Sequence, residues 1–164
     1  MIKGLHHNAY RCRDSEETRR FYEDFLGLPL VNAFEINETK SGRATHTLHS
    51  FYAMGDGSAL AFFEAPDRPF EFKAQHDYDL HIAVEVTRPH MLEMFEKGKQ
   101  AGIETRGIAD HGFIDSIYFR DPNGYVIELT CRRDDYDQQM VKARARAHDE
   151  LARWQREKPQ PGSA

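Results

Sequence analysis

Cysteine is nearly absent: Cys12 and Cys131 are the only two in 164 residues. That is too few for a disulfide framework or a thiolate zinc site. Long apolar runs are missing as well; none approaches the ~18 residues of a membrane span. The opening Met1-Ile2-Lys3-Gly4-Leu5-His6-His7 lacks the apolar stretch of a secretory signal. There is no basic excess either. Lys and Arg number 22 against 27 Asp and Glu, a formal charge of −5, which argues against a protein that tracks nucleic-acid phosphates. These absences leave a soluble, reduced, cytoplasmic domain as the expectation, with neither nucleic acid nor membrane as partner. What is present is 40% hydrophobic and 12% aromatic residues, enough to build a core at this length in one domain or two small ones. Histidine is abundant, at nine, and the positions of these residues carry the information.

Three helices are predicted. Asp14-Ser15-Glu16-Glu17 supplies a cap residue with Glu three positions later. Phe21, Tyr22, Phe25 and Leu26 follow as an apolar stripe, and Gly27 supplies the stop. Thr87 caps a second helix with Pro89 in its first turn; Met91, Leu92, Met94, Phe95 and Gly98 form its inner face and Gly102 ends it. The third spans about Asp134 to Glu157. It is densely charged, yet Met140, Ala143, Ala147, Leu151 and Trp154 recur at spacings of three and four. Pro159, Pro161 and Gly162 mark a frayed end. Strands are predicted at Leu5 to Cys12, Leu30 to Ile36, Ala44 to Met54, Ser58 to Glu64, Leu80 to Val86, Glu104 to Ile108, Ser116 to Arg120 and Tyr125 to Cys131. Turn chemistry at Gly55-Asp56-Gly57 and Asp121-Pro122-Asn123-Gly124 separates several of them.

The order contains an internal repeat. Leu5-His6-His7-Asn8-Ala9-Tyr10 resembles Asp79-Leu80-His81-Ile82-Ala83-Val84, which sets His7 opposite His81. His7 precedes Gly27 by 20 positions and His81 precedes Gly102 by 21. In both halves a strand is followed by a helix and three more strands. The fold class expected is therefore α+β: two paired βαβββ modules forming a curved, partly open eight-stranded sheet, plus a C-terminal helix. Modules at about 1–65 and 78–132 make up a domain over 1–132, with Pro66 to Gln75 as linker; 133–164 is the C-terminal helix and tail. Each module is too small to be comfortable alone, which favours their pairing.

Strand side chains alternate between faces. In the second module Ile82, Val84 and Val86 suit packing under the helix, leaving His81, Ala83 and Glu85 opposite. One consistent assignment puts His81, Glu128, Tyr118 and Ser116 on a single concave face. The corresponding face of the first module carries His7, Ala9 and Arg11, with His49, Phe51 and Ala61 on later strands. Two imidazoles and one carboxylate on rigid strands make a facial triad that leaves positions open for substrate. Fe(II) is the favoured metal, with Mn(II) and Zn(II) as alternatives. A single strand histidine is more often an ordinary polar residue. The recurrence of His at the same inward position in both halves favours ligation by His7, His81 and Glu128.

At these residues the chain resembles the vicinal oxygen chelate superfamily, the glyoxalase, bleomycin-resistance and extradiol dioxygenase group. The carrying segments are Gly4-Leu5-His6-His7-Asn8-Ala9-Tyr10-Arg11, Thr18-Arg19-Arg20-Phe21-Tyr22 with Leu26-Gly27-Leu28, His81-Ile82-Ala83-Val84-Glu85-Val86 and Tyr118 to Leu129. The resemblance implies metal ligands on the first strand of each module and the last strand of the second, again His7, His81 and Glu128. Many members, the nickel or zinc glyoxalases among them, have a fourth ligand on the last strand of the first module; here Ala61 stands there, so three ligands are expected. His111-Gly112 followed by Ser116 to Gly124 looks like a ring-cleavage segment. It implies that Tyr118 bonds a metal-bound phenolate oxygen and that His111 bonds substrate or closes the site. The acid-base histidine of extradiol enzymes falls near Ser58 here, and His49 on the preceding strand is the substitute.

The function this resemblance implies is an Fe(II)-dependent extradiol-type dioxygenase acting on a catechol or hydroquinone-like aromatic, with Phe51, Phe63 and Phe113 as an apolar wall. Two alternatives stand: a glyoxalase-type lyase or isomerase using a divalent metal such as Ni(II), and a drug-binding resistance protein. A homodimer is expected, with a small aromatic or oxygen-chelating substrate as the other partner. Elsewhere, Arg11 and Glu85 are repeat-equivalent and are placed to pair as a structural bridge. His6, His76, His90 and His148 read as surface residues, and Cys12 and Cys131 as small packing residues.

Overall fold

The computed structural model describes residues 1–74 and 76–159. Gln75, at the end of the expected linker, and Pro161 and Gly162 of the expected frayed end lie outside the described residues.

The first module runs β1 (Tyr10–Cys12), α1 (Ser15–Arg19), β2 (Leu30–Glu38), β3 (Ala44–Ala53) and β4 (Ala59–Glu64). The second runs β5 (His81–Glu85), α2 (Arg88–Gln100), β6 (Thr105–Asp110), β7 (Ile114–Arg120) and β8 (Val126–Arg132), and α3 (Tyr136–Glu157) follows. Both expected caps form. Asp14 Oδ1 accepts the Glu17 N–H at 2.8 Å, and Thr87 Oγ1 accepts the His90 N–H at 3.4 Å. After α1 the chain continues as a wider π-helical segment, Arg20–Phe25, that buries Phe21, Tyr22 and Phe25. Among the described residues no helix is long and apolar enough to cross a membrane.

The repeat is reproduced in the topology. The strand orders are β1-β4-β3-β2 and β5-β8-β7-β6, with β1 parallel to β4 and β5 parallel to β8. The eight strands thus fall into two four-stranded sheets, with no ladder joining them among the described residues. The reason lies on their apolar backs. Tyr22, Phe25, Leu60 and Phe62 share one core with Met91, Met94, Ile117, Phe119, Ile127 and Leu129. Phe25 meets Phe119 edge-on at 5.2 Å. The buried Tyr22 hydroxyl donates to Asp121 Oδ2 at 3.0 Å, and the Tyr125 hydroxyl donates to the Arg11 carbonyl at 2.8 Å. Joined in this way, the modules turn their other faces outward.

The first strand is shorter than expected. From Leu5 to Ala9 only a bridge at His7–Ala59 forms, because the Asn8 side-chain oxygen accepts the Ala61 N–H at 2.9 Å in place of a backbone carbonyl. Cys12 and Cys131 are buried free thiols, packed as expected, and burial raises the Cys12 thiol to about 11. The expected Arg11–Glu85 bridge does not form. Arg11 Nη2 donates to the carbonyls of Ala65 and Arg68, both at 3.0 Å, and Glu85 pairs with Arg132 at 2.8 Å. The two belong to sheets joined through their backs, so equivalence in the repeat does not become proximity.

Candidate functional site

The outward face of the second sheet gathers four of the six sequence-derived site residues. Tyr118 and Glu128 are ladder partners on β7 and β8. Glu128 sits opposite Ala83 on β5, two residues from His81. His81 Nε2 lies 3.3 Å from Glu128 Oε2. The Tyr118 hydroxyl donates to Glu128 Oε1 at 3.3 Å, and His111 Nε2 lies 2.8 Å from the same hydroxyl. With the phenol proton directed at Glu128, His111 Nε2–H is the donor to Tyr118. These side chains line a cavity of about 500 Å³, with Tyr78, Phe113 and Ile114 among its walls.

The electrostatics of the pair are specific. His81 Nδ1 lies 2.6 Å from the Asp77 carbonyl, so Nδ1 carries the proton. In the neutral imidazole Nε2 is then a lone pair facing a carboxylate whose side chain is 7% exposed. Two acceptors at this separation repel unless a cation lies between or beside them, either a second proton on His81 or a metal ion. A histidine whose Nδ1–H is fixed by a carbonyl and whose Nε2 points beside a carboxylate has the donor set of a divalent-metal site. Burial, reinforced by the Glu128 charge, raises the Tyr118 phenol, which therefore stays protonated at neutral pH and acts as a donor.

His7 and His49 lie on the other sheet. The His7 ring is 6.2 Å from His49 and 5.3 Å from Phe51, centre to centre. His49 stacks on Phe63 at 3.7 Å and meets Phe34 edge-on at 5.4 Å. Its Nδ1 lies 2.9 Å from the Phe62 carbonyl, and burial lowers its pKa, so it is neutral at pH 7 with Nε2 available as an acceptor. Ser58 is held in the β3–β4 turn, its hydroxyl donating to Asp56. Among the described residues no group of three His, Cys, Asp or Glu side chains is placed to hold a metal. His81 and Glu128 meet; His7 does not join them within one chain.

Three neighbours of these groups were not singled out by sequence reasoning. Asp77 fixes His81 through its carbonyl, and its carboxylate binds Arg106 at 3.0 Å. The Arg106 guanidinium lies 5.3 Å above the Tyr118 ring. A loop aspartate before a strand carries no periodic signal, so pattern reading has no means of finding it. His6, read as a surface residue, places Nδ1 2.7 Å from His7 Nδ1. The His-His doublet was visible, and such a pair can hold a ring orientation.

The model of the Glyoxalase/Bleomycin resistance protein/Dioxygenase superfamily matches residues 4–129. The chain belongs to this superfamily. Within it, similarity reaches a protein named Glyoxylase I 4 from Arabidopsis thaliana, 26% identical over 98% of this chain and 88% of that protein. YwkD from Bacillus subtilis (strain 168) is 26% identical over 79% of this chain and 97% of its own length. Among solved structures, the fosfomycin resistance protein FosX from Listeria monocytogenes is 20% identical with a TM-score of 0.60, covering 84% of this chain and 98% of that one. That structure is of a point mutant of FosX in complex with Mn(II) and 1S,2S-dihydroxypropylphosphonic acid. At this identity the structural likeness concerns the fold. The superfamily match ends before α3, which begins at Tyr136.

Proposed function

We propose that the chain is a divalent-metal enzyme whose centre is built from two copies: His81 and Glu128 of one, and His7 of the other. The observation that carries this reading is the His81–Glu128 pair, with Nδ1 of His81 tied to a carbonyl and Nε2 turned to a carboxylate. It supplies two of the three ligands needed for a facial triad. The third imidazole, on the outward face of a sheet joined to this one through its back, has to come from a second copy. The same approach would bring His49, Phe34 and Phe51 over the cavity. That supports a small aromatic or other vicinal-oxygen substrate, held between apolar rings on one copy and polar groups on the other.

When bound, the metal would supply Lewis acidity and open positions for two adjacent substrate oxygens. The chain's own groups handle protons and position. Tyr118, held protonated, would swing its single O–H from Glu128 to a substrate oxygen when one is bound. His111, bonded to Tyr118, can restore its proton. His49, neutral and arriving with His7, is the base for a hydroxyl proton. Ala61, at the position of the fourth ligand, is fully buried and leaves the ligand count at three, which supports extradiol-type ring cleavage with Fe(II). Similarity to Glyoxylase I 4 along nearly the whole chain favours a second reading, a glyoxalase-type isomerisation in which no oxygen is consumed.

Anaerobic loading with Fe(II), followed by oxygen uptake across a panel of catechols and hydroquinones, separates the two. Iron-dependent uptake supports ring cleavage. Turnover of a thiohemiacetal with Ni(II), without uptake, supports the isomerase.

A further inference from the structure

Among the described residues, helix α3 is held to the body at its start. The Tyr136 ring packs on Phe113 at 6.1 Å, Arg132 lies over the Tyr136 ring at 4.6 Å, and Gln139 Nε2 donates to the Gly112 carbonyl at 3.0 Å. Beyond Gln139 every helical residue is exposed and none in the helix is buried. A helix of 22 residues is about 33 Å long at ~1.5 Å per residue, and most of that length leaves the body. In proteins most helical stability comes from packing an apolar face rather than from propensity.

Such a face exists. At ~100° per residue, Tyr136, Met140, Ala143, Ala147, Leu151 and Trp154 fall within an arc of about 80°. Leu151 and Trp154 are each 57% exposed. Arg146, Glu150 and Glu157 border the stripe on one side, with Arg144 and His148 on the other; Lys142, Asp149 and Arg153 occupy the far face. The far face mixes both signs, unlike the basic face of a membrane-surface helix.

We infer that α3 pairs antiparallel with α3 of a second copy, about a two-fold axis at Ala147. That register sets Ala147 against itself, Ala143 against Leu151 and Met140 against Trp154. Small residues at the centre let the backbones approach, and large ones close the ends. It also sets Arg146 of each copy beside Glu150 of the other, and Gln139 beside Glu157. A parallel pairing would turn the Arg146–Glu150 flank of each helix toward the Arg144–His148 flank of the other, and Arg146 would not reach Glu150. The Arg146–Glu150 contact between copies is therefore made in the antiparallel direction alone. The inference stands on α3 alone and does not depend on the metal reading.

The test uses the full chain. Because Cys12 and Cys131 are buried, a thiol placed by Ala147→Cys reports by itself. A short bismaleimide should link two Ala147→Cys chains at least tenfold faster than two Ala145→Cys chains, whose thiols sit away from the stripe. Arg146→Glu should weaken association at least tenfold in sedimentation, and the double variant Arg146→Glu with Glu150→Arg should restore it. Equal linking rates at 145 and 147, or a charge swap that fails to restore association, would overturn the pairing. Metal affinity measured on the same samples keeps this outcome separate from that of the metal centre.

Discussion

Tyr118 and Glu128 face each other directly across the β7–β8 ladder, and the phenol donates to the carboxylate at 3.3 Å. A hydroxyl in that place steers one carboxylate oxygen and leaves the other, Oε2, toward His81. Losing a partner that orients a ligand typically weakens metal binding by about 10–100-fold. Tyr118→Phe should therefore bind Mn(II) or Fe(II) about tenfold more weakly in competition with a chelator, with an unchanged far-ultraviolet circular dichroism spectrum. Unchanged affinity would remove Tyr118 from the site.

The join between modules should be measurable at Tyr22. Its buried hydroxyl donates to Asp121, which also accepts from the Asn123 side chain and from the Asn123 and Tyr125 N–H groups. Tyr22→Phe leaves that carboxylate one donor short in a buried place. Urea unfolding should show a loss of about 1–3 kcal/mol.

Gly98 marks where α2 lies closest to the second sheet. A Cβ there would stand 2.5 Å from both the Phe119 ring and Thr105 Oγ1. Gly98→Val must push the helix off β7, at a cost of about 1–3 kcal/mol or more from overpacking. A thermal melt no lower than that of the parent chain would show that the approach is looser.

How far the sequence carries is clear at these positions. The stripe Met91, Met94 and Gly98 marked the inner face of α2, and strand alternation separated Tyr118 and Glu128 from Ile117 and Ile127. The matched histidines exposed the repeat, and the repeat located the faces. Alternation has no information about which face meets which partner. Arg11 and Glu85 matched in register yet lie on sheets joined by their backs. The same blindness concealed that His7 and His81 lie on different sheets. The short first strand depended on one side chain, Asn8, taking a backbone role. Asp77 acts through a carbonyl, which no residue type encodes.

A pH-dependent contribution is expected on α1. Arg19 binds Glu16, Glu23 and Asp24 at 2.7 to 3.0 Å. The Arg19 bonds lower Glu16, from 4.5 to about 2, and Asp24, while Glu23 is lowered first by the Leu30 N–H and then by Arg19. Carboxyls depressed in the folded state add stability above their unfolded pKa, and that stability is lost as pH falls through the folded value. Arg19→Ala should lower the melting temperature most at neutral pH, and the gap to the parent should narrow as pH falls from about 5 toward 2. The groups are exposed and salt screens them, so the gap should also shrink in high salt.

A metal centre shared by two copies is tested most directly by mixing. His7→Ala and His81→Ala chains each lack a ligand at every centre they form alone. Unfolded together and refolded, they form mixed dimers in which one centre combines His7 of one chain with His81 and Glu128 of the other. Tight metal binding should then return, at about a quarter of the wild-type sites for random pairing in a two-fold dimer. No recovery in the mixture, or tight binding by the His7→Ala chain alone, would contradict a centre built from two chains.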